Sequence, residues 1–422
     1  MTQSTQPSPH DIDILRRLAE RKAQIAHDPL NLERKRLWYQ HDAGRGGRPM
    51  VLAEVHGVLK EALPDTLLQC QDEWARTRER WLRIEIYQFE ALKDDHVVEP
   101  NMAVEWKVNV SSYGAEPLQH RADNLGRLGA RRWDAPIKDL DRDFDKLHPR
   151  TYSVDRPATL AEQEKMDRVF GPVLPVRNRS KYWWSMGMTL VAIDLIGLEN
   201  LMLFMYDNPQ GLHRLMNFLC EDHLACARWL EKEGLLALDN ENDYIGSGSM
   251  GYTRALPAAD WKPGMPVRTK DNWVLLESQE TVGVGPELFE EFIFPYQLRI
   301  ARHFGRCYYG CCEPVHTRIH VLKKLPNMAR VSVSPWADEA IMARECATQI
   351  VYSRKPNPSL ISTAHFDEDL IRADLRKTVT AAKDCRLEIV MKDVHTLNNQ
   401  PERLPRWVQL AQEEIERPSS SS

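Results

Sequence analysis

The sequence lacks several features that would place it in a specialised class. It contains no run of about 18 uninterrupted apolar residues, so no transmembrane helix is predicted. Its 56 basic residues do not outnumber its 61 acidic residues, and a net charge of -5 argues against nucleic-acid binding or a polybasic membrane anchor. The polar start, residues 1–9, has no signal-peptide core. These absences predict a soluble cytoplasmic protein with neither nucleic-acid nor membrane partners.

Nucleotide-binding loops and a cysteine framework are also missing. No predicted strand is followed by a G-x-G-x-x-G or P-loop fingerprint, which weakens a nucleotide-binding interpretation. A chain of 422 residues with 42% hydrophobic content does not need disulfides to stabilise its core, so the 8 cysteines are not expected to form a framework. The adjacent pair Cys311 and Cys312 is unusual enough to be considered for chemistry.

The second half of the chain alternates short apolar runs with helical stretches. The runs end in polar residues and lie at 173–176, 235–238, 273–276, 307–310, 330–333, 350–353 and 387–391. Helical spacing is found at 286–304, 338–347, 367–382 and 403–415. With a further apolar run at Met50, eight strand–helix units predict an α/β fold, and favour a closed (β/α)₈ TIM barrel over an open doubly wound sheet.

The remaining sequence divides around this predicted barrel. Residues 1–45 are expected to form an N-terminal helical extension, and residues 46–416 the barrel. Alternating β-branched residues and turns at about 95–165 predict a β-rich insertion. The serine-rich tail 417–422 is expected to be disordered.

The segment from Cys311 to His316 carries the strongest chemical signal. Active sites of such barrels lie at the carboxyl ends of the strands, and this segment combines thiol, carboxylate and imidazole groups after one strand. These groups can hold Zn²⁺, with Cys311, Cys312, Glu280 and His316 as candidate ligands. Because consecutive side chains on a strand diverge, one thiolate of the pair is the realistic expectation. The alternative is a pair of buried thiols beside a helix start.

Other strand ends offer candidate catalytic groups. Glu280 closes one strand, and Lys392, Asp393 and His395 follow the last one. A carboxylate, an ammonium and an imidazole together can move a proton or hold an anion. The same residues could instead form salt bridges at the rim of the barrel, so both interpretations stay open.

A third set of residues is predicted to bind substrate. Arg354 and Lys355 would bring positive charge to the mouth of the barrel, unless each is paired with a local carboxylate. A glycine-rich loop follows Asn240 and Asn242, and it is either a lid over the substrate or a simple connection. The full predicted set comprises Asn240, Asn242, Tyr309, Trp336, Arg354 and Lys355.

Five strand-end segments resemble the uroporphyrinogen decarboxylase-like superfamily, and in particular an uncharacterised bacterial branch found near corrinoid-dependent methyltransferases. The segments are residues 277–281, 309–314, 331–338, 353–358 and 392–396, and the resemblance extends over roughly residues 36–407. It implies a (β/α)₈ barrel. It also implies either cofactor-free decarboxylation or zinc-dependent transfer of a methyl group between a corrinoid and a thiol or folate.

The chain departs from both family patterns. In the segment that begins at Trp38, His41 and Asp42 replace an Arg-Gln pair of the decarboxylases, while Arg45 is kept, which argues against true porphyrinogen decarboxylation. Cys311 matches a zinc-binding cysteine of the methyltransferases. Tyr309 and Lys355, however, stand at or near the positions of their two other ligands: Glu280, Cys312 or His316 would have to complete a zinc site.

The sequence thus favours a zinc-dependent methyltransferase. It would move a methyl group between a small substrate and a corrinoid, carried by a partner protein, or a thiol or folate acceptor. One alternative is a metal-independent carboxy-lyase whose carboxylate-binding groups are Arg45, Arg354, Lys355 and Lys392. Another is an accessory subunit of a corrinoid methyltransferase system that has lost the chemistry. Whether the chain forms a homodimer is left open.

Overall fold

The computed structural model describes residues 7–121 and 131–417. Its α-helices are α1 Pro9–Ala26, α2 Pro29–Asp42, α3 Leu59–Ala62, α4 Glu73–Tyr87, α5 Arg156–Phe170, α6 Thr189–Ile196, α7 Leu198–Asp207, α8 Pro209–Lys232, α9 Pro286–Phe292, α10 Phe294–Ala301, α11 Ile319–Leu322, α12 Glu339–Cys346, α13 Ser359–Ser362, α14 Glu368–Ala381 and α15 Arg403–Glu416. Its strands are β1 Met50–Ala53, β2 Met102–Val104, β3 Val108–Val110, β4 Leu118–Arg121, β5 Arg131–Asp134, β6 Tyr152–Val154, β7 Val176–Asn178, β8 Tyr244–Gly246, β9 Ser249–Met250, β10 Trp273–Leu276, β11 Arg306–Tyr309, β12 Met328–Val333, β13 Val351–Arg354 and β14 Leu387–Met391.

Six parallel strands form the central sheet, in the order β1-β14-β13-β12-β11-β10. Helices connect successive strands of the second half, as expected for a parallel sheet. The predicted α/β class is therefore confirmed. The remaining strands form four separate pairs: β2 with β7 in parallel, and β3 with β6, β4 with β5 and β8 with β9 antiparallel.

The two faces of the sheet differ because strand side chains alternate with a period of two. Outer-face residues such as Val274, Val331 and Ile389 join the main hydrophobic core with the helices. On the inner face, Leu275 and Tyr308 pack against Ile245 of the β8–β9 hairpin. The inner face is therefore covered by the chain's own hairpin, and its polar residues point toward that hairpin.

The eight-strand prediction needs correction at two positions. The apolar run 173–176 gives only the short strand β7, which pairs with β2 outside the central sheet, and residues 235–238 form no strand. At each edge of the sheet, a carboxylate accepts a hydrogen bond from a backbone amide. Asp95 Oδ2 accepts from Val51 N at 2.7 Å, and Asp239 Oδ1 accepts from Trp273 N at 3.0 Å. Six strands are in the described ladder, so closure into a complete barrel stays a prediction.

The predicted glycine-rich loop is a buried hairpin rather than a lid. Ser247, Ser249 and Tyr252 are almost completely buried. At Gly248, where φ is +84°, an added Cβ would lie 2.5 Å from Val390 Cγ1 and 2.9 Å from Glu54 Oε1. The hairpin therefore packs directly on β14 and on the residue that follows β1, an approach that requires glycine.

Two helices occupy the predicted N-terminal extension. Ser8 and Asp28 cap α1 and α2 by accepting hydrogen bonds from backbone amides of the first turn. α1 packs with α4 and α5 in a second hydrophobic cluster that includes Leu15, Leu82 and Phe170. The domain boundaries themselves stay a prediction, and the proposed disordered tail 417–422 lies, except for Arg417, outside the described residues.

Within residues 7–121 and 131–417, no single helix is long and apolar enough to cross a membrane. The helices α6 and α7 reach that length and composition only as a pair bent by 90°. Buried residues of both, such as Ile193 and Leu201, belong to the main core.

Candidate active site

The carboxyl ends of four parallel strands bring charged and thiol groups around one pit. Glu54 follows β1, Lys392 follows β14, Lys355 follows β13, and Cys311 lies two residues beyond β11. Lys392 Nζ lies 3.5 Å from Cys311 Sγ and 3.2 Å from Ser247 Oγ of the hairpin. We call these five residues the reaction pit, and its position is the one expected for the active site of a parallel α/β sheet.

Local backbone geometry directs Cys311 into the pit. Gly310 has φ +93°, a conformation that L side chains rarely adopt, and an added Cβ there would lie 3.2 Å from Ser332 Cβ. Cys311 N donates to Glu313 Oε2 at 2.8 Å, and Ser332 Oγ donates to Cys311 O at 2.6 Å. The turn after β11 is thus fixed on both sides, which holds the thiol against Lys392.

The Cys311 thiol and the Lys392 ammonium stabilise each other's charged forms. A hydrogen bond from Cys312 and the charge of Lys392 together outweigh burial, so the pKa of Cys311 lies below its usual range. Burial alone would lower the pKa of Lys392, but the Cys311 thiolate and Asp393 outweigh that effect and raise it. The arrangement therefore favours a buried thiolate–ammonium pair over a neutral thiol and a neutral amine.

A short polar path leads from this pair to solvent. Cys312 Sγ lies 3.5 Å from Cys311 Sγ and 3.4 Å from Asp393 Oδ2, and both Cys312 and Asp393 are exposed. The hydrogen bond to Cys311, burial and the Cys311 charge raise the pKa of Cys312, so it stays a neutral thiol and donor. A proton on Cys311 can therefore reach water through Cys312 and Asp393.

Two further titratable groups lie in the pit. Burial lowers the pKa of Lys355 to about 7, although Glu388 opposes the shift, and its Nζ contacts Ser353 Oγ. Burial also raises the pKa of Glu54, against the attraction of Lys392. Near neutral pH the pit thus holds one permanent cation, Lys392, and one lysine that is close to its midpoint.

A large cavity lies beside the pit. Its volume is about 1110 Å³, and it opens between β2, residues 179–184 and residues 236–245. Aromatic residues including Trp106, Trp184 and Trp273 line it. Tyr244 also lines it, and the charges of Glu54 and Lys392 act on the pKa of Tyr244, which burial raises. Tyr244 therefore lies near both the cavity and the pit, and the cavity is large enough for an organic substrate.

Three carboxyl groups cluster on the other side of Cys311. Burial, Glu280 and Glu313 raise the pKa of Glu277 well above its usual range. Glu280 Oε2 accepts a hydrogen bond from Thr189 Oγ1 at 2.7 Å. Glu280 shares with Cys312 and the exposed Trp336 a groove of about 470 Å³. The predicted catalytic Glu280 thus lies next to Cys312, on the solvent side of the pit.

The side chains around Cys311 do not fit a zinc site as they are placed. Among the described residues, no group of three or more His, Cys, Asp or Glu side chains is positioned to hold a metal ion. Lys392 Nζ contacts Cys311 Sγ and lies 3.4 Å from Asp393 Oδ2, so an ammonium already neutralises the anions that would bind a cation. The predicted zinc and corrinoid stay predictions.

The structure corrects the expected positions of two predicted substrate-binding residues. Tyr309 lies on the outer face, and its hydroxyl donates to Gln297 Oε1 of α10 at 2.9 Å. Arg354 also points outward and pairs with Glu339 of α12 at 3.1 Å. Both follow from strand alternation, since Tyr308 and Ser353 occupy the inner face and bond to each other at 2.9 Å.

The other predicted residues lie at varying distances from the pit. Asn242 lines the cavity, whereas Asn240 Nδ2 donates to Leu256 O at 2.9 Å. His316 is half-buried in the turn Val315–Thr317, with an unpartnered Nδ1. His395 is exposed close to Gly57, and Arg45 is exposed. Their predicted roles in metal, proton or carboxylate binding stay predictions.

Sequence reasoning missed Glu54, Ser247 and Tyr244, and at the end of β10 it chose Glu280 rather than Glu277. Glu54 and Glu277 each follow a strand of the sheet directly, so the strand-end rule applied to the predictions would have included both. Ser247 and Tyr244 belong to a hairpin that reaches the pit from outside the sheet. The sequence contains no signal for that tertiary contact.

Comparisons with known proteins leave the family of this chain open. No protein-family model matches the chain, and no curated protein matches it. Among solved structures, it is similar to a methyltransferase from Methanosarcina mazei, with 12% sequence identity and a TM-score of 0.49 over 90% of this chain and 98% of that chain. At this similarity the likeness does not decide the family, and the resemblance to the uroporphyrinogen decarboxylase-like superfamily stays a prediction.

Proposed function

We propose that the chain is a methyltransferase in which the Cys311 thiolate is the general base. The observation that carries the proposal is the contact of Cys311 Sγ with Lys392 Nζ at 3.5 Å, in a pit where four strands end. A thiolate held by a fixed ammonium can take the proton of an acceptor thiol or amine without needing a metal. The nearby cavity, which Tyr244 lines, would admit the substrate.

The proposed step balances as follows. The acceptor X–H gives its proton to Cys311 Sγ while X forms a bond to the methyl carbon, and the bond from that carbon to the donor's leaving group breaks with its electron pair. Lys392 stays protonated and holds the anionic form of Cys311 before and after turnover. The proton then leaves through Cys312 and Asp393. A partner corrinoid protein is the donor expected from the resemblance.

A covalent methyl–enzyme is less suitable on chemical grounds. If Cys311 itself took the methyl group, the product would be a thioether, which is a poor methyl donor. The enzyme would then stop after one turnover. A general base does not stop the enzyme in this way. Cys311 becomes a thiolate again after each turnover, because its proton can leave to solvent through Cys312 and Asp393.

The test uses free methylcobalamin as the probe for a corrinoid donor and 2-mercaptoethanol as the acceptor. We expect the loss of the cobalt–methyl absorbance and the formation of the methyl thioether. Cys311→Ala should lower the rate by about 100-fold or more, as expected for a lost general base. Cys385→Ser is the matched control, since Cys385 is half-buried near Ala343, outside the pit, and should leave the rate unchanged.

Three outcomes would contradict this mechanism. One is an unchanged rate in Cys311→Ala. Another is a stable methyl adduct on Cys311, because that makes the thiol an acceptor. The third is strict dependence on added Zn²⁺ with loss on chelation, since this would restore the zinc mechanism that the resemblance implies.

A carboxy-lyase is the second candidate, favoured by one specific observation. Two lysines, Lys355 and Lys392, share the pit with Glu54, whose raised pKa favours a proton on its carboxyl group. The ammonium groups would hold a substrate carboxylate, carbon dioxide would leave, and Glu54 would give its proton to the resulting carbanion. Release of labelled carbon dioxide from small carboxylic acids, abolished in Glu54→Gln and retained in Cys311→Ala, would favour this reaction.

A further inference from the structure

The two adjacent thiols at the pit form a pair that the proposed reaction uses only for proton transfer. Cys311 and Cys312 are both free, and their sulfur atoms lie 3.5 Å apart. Cys311 is 4% exposed and faces Lys392, whereas Cys312 is exposed and lines the groove of about 470 Å³. Small reagents can therefore reach the pair from the groove without entering the large cavity.

The two thiols have unequal chemistry. Lys392 and the hydrogen bond from Cys312 favour the thiolate of Cys311, which is the nucleophilic form of cysteine. Cys312 keeps its single proton, which it can donate either to Cys311 Sγ at 3.5 Å or to Asp393 Oδ2 at 3.4 Å. Cys311 can therefore attack an electrophile. Cys312 can then attack the oxidised Cys311, and the Asp393 carboxylate can accept the proton of Cys312.

We propose that Cys311 and Cys312 form an oxidation site for hydroperoxides, at which the pair becomes a disulfide between adjacent residues. Cys311 Sγ attacks the peroxide oxygen, the O–O bond breaks, and Cys311 becomes a sulfenic acid while the reduced oxygen leaves as hydroxide or alkoxide. Cys312 then attacks Cys311 Sγ, its proton passes to Asp393, and hydroxide leaves as water. In sum, two thiols and one hydroperoxide give one disulfide, one water and one alcohol or second water.

The product is expected to be reversible. Adjacent Cα atoms are about 3.8 Å apart, which is shorter than the usual separation of about 4.4–6.8 Å across a disulfide. Strained and exposed disulfides are reduced more readily than relaxed buried ones. A dithiol reagent should therefore restore both thiols, and the pit regains its thiolate only after that reduction.

Another pair of neighbouring cysteines provides an internal comparison. Cys346 is buried, Cys385 is half-buried, and the charge of Cys385 acts on the thiol of Cys346. Burial raises the pKa of both thiols. At Cys346 burial outweighs the charges of Lys323 and Arg386, whereas at Cys311 the partners outweigh burial, so this second pair should react with hydroperoxide more slowly than Cys311.

The experiment treats the full chain with hydrogen peroxide and maps the modified cysteines by mass spectrometry. Cleavage after Arg306 and Arg318 releases a peptide with Cys307, Cys311 and Cys312. We expect this peptide to lose the mass of two hydrogens, with fragmentation placing the bond between Cys311 and Cys312. Dithiothreitol should reverse the change. Because the readout is mass rather than turnover, its failure is distinguishable from failure of the proposed methyl transfer.

Two variants make the test specific. Cys312→Ser should stop the reaction at a sulfenic acid on Cys311, which dimedone traps. Lys392→Gln should slow oxidation by about threefold or more, because the thiolate fraction falls faster than its nucleophilicity rises. Lys383→Gln, on an exposed lysine, is the matched control and should not change the rate.

Clear outcomes would overturn the proposal. These are oxidation of the Cys346–Cys385 pair before Cys311, sulfonic acid formation on Cys311 with no disulfide while Cys312 is present, or equal oxidation rates in Lys392→Gln and the wild type. Circular dichroism of each variant excludes unfolding as the cause of a changed rate.

Discussion

At the scale of single residues, the site depends on charge pairing among buried side chains. Cys311 and Lys392 lie at the ends of different strands, and each favours the charged form of the other. For Lys355, in the same pit, burial outweighs the attraction of Glu388, Glu54 and Cys311, so its pKa is lowered. The same sheet edge therefore holds one lysine that stays charged and one that titrates near neutral pH.

Lys355 distinguishes the two candidate reactions through pH. Burial lowers the pKa of Lys355 to about 7, so its positive charge disappears as pH rises through that value. A carboxy-lyase that needs this charge would lose kcat/KM as pH rises from about 6 to 8. For methyl transfer with Cys311 as base, we expect no such loss, and Lys355→Met should lower the rate less than Cys311→Ala. The measurement is a pH profile of each variant.

At the scale of elements, much of the second half could be predicted from the sequence. The strands β10 to β14 lie where short apolar runs end in polar residues, and α12, α14 and α15 match the predicted helices within a few residues. The stretch 286–304 is divided into α9 and α10, with Pro295 in the first turn of the second helix. Apolar runs and helical periodicity follow directly from burial, so these elements could be predicted from the sequence.

The first half of the chain and the β8–β9 hairpin were harder to predict from the sequence, for a physical reason. Short strands such as β2 and β7 are defined by a partner more than seventy residues away, and three residues carry little periodicity. Strand alternation also decided which strand-end residues reach the pit. It places Lys355 inside and Arg354 outside, a distinction that depends on the register of β13 and not on residue type.

The turn after β11 gives a prediction at this scale. Gly310→Ala should destabilise the fold by about 1–2 kcal/mol, because φ +93° is strained for alanine, and by a further amount because of the contact with Ser332. It should also slow alkylation of Cys311, whose position the turn sets. Urea unfolding and iodoacetamide kinetics measure the two effects.

Gly264→Ala provides the control for that substitution. Gly264 has a similar φ of +92°, but nothing lies within 4 Å of an added Cβ. The variant Gly264→Ala should therefore lose only the stability that the strained backbone conformation costs, and the rate of Cys311 alkylation should not change. Equal destabilisation and equal alkylation rates in the two variants would contradict the assigned role of Gly310.

At the scale of the whole molecule, an internal ion network joins α2 to the sheet. Asp42 Oδ1 lies 3.0 Å from Arg306 Nη2 and 3.2 Å from Arg330 Nη2, and Arg330 Nη1 lies 3.1 Å from Glu388 Oε2. His41 Nε2 contacts Leu387 O at 3.0 Å. His41 and Asp42 therefore connect α2 to β11, β12 and β14.

His41 leads to a prediction about acid stability. Burial lowers its pKa to about 4 from 6.5, although Glu388 opposes the shift. The unfolded chain then binds more protons than the folded one between these values, so the contribution of His41 is present above about pH 6.5 and is lost as pH falls toward 4. Between about pH 7 and 5 the loss amounts to about 2 kcal/mol.

The variant His41→Gln should not show this loss of stability when the pH is lowered. Because Glu277, with its raised pKa, acts in the opposite direction, the quantity to compare is the pH-dependent change in unfolding free energy between variant and wild type. The exposed His365→Gln serves as control and should behave as the wild type. If His41→Gln and the wild type lose the same stability, His41 is not a buried neutral histidine.

The titration of Cys311 tests the central claim most directly. The thiolate absorbance of the wild type, minus that of Cys311→Ser, reports the protonation of this one sulfur as pH is raised. With Lys392 as its partner, we expect a midpoint below the ordinary thiol value and an upward shift of about one unit or more in Lys392→Gln. A midpoint at or above the ordinary value, unchanged in Lys392→Gln, would contradict the thiolate–ammonium pair and with it the proposed base.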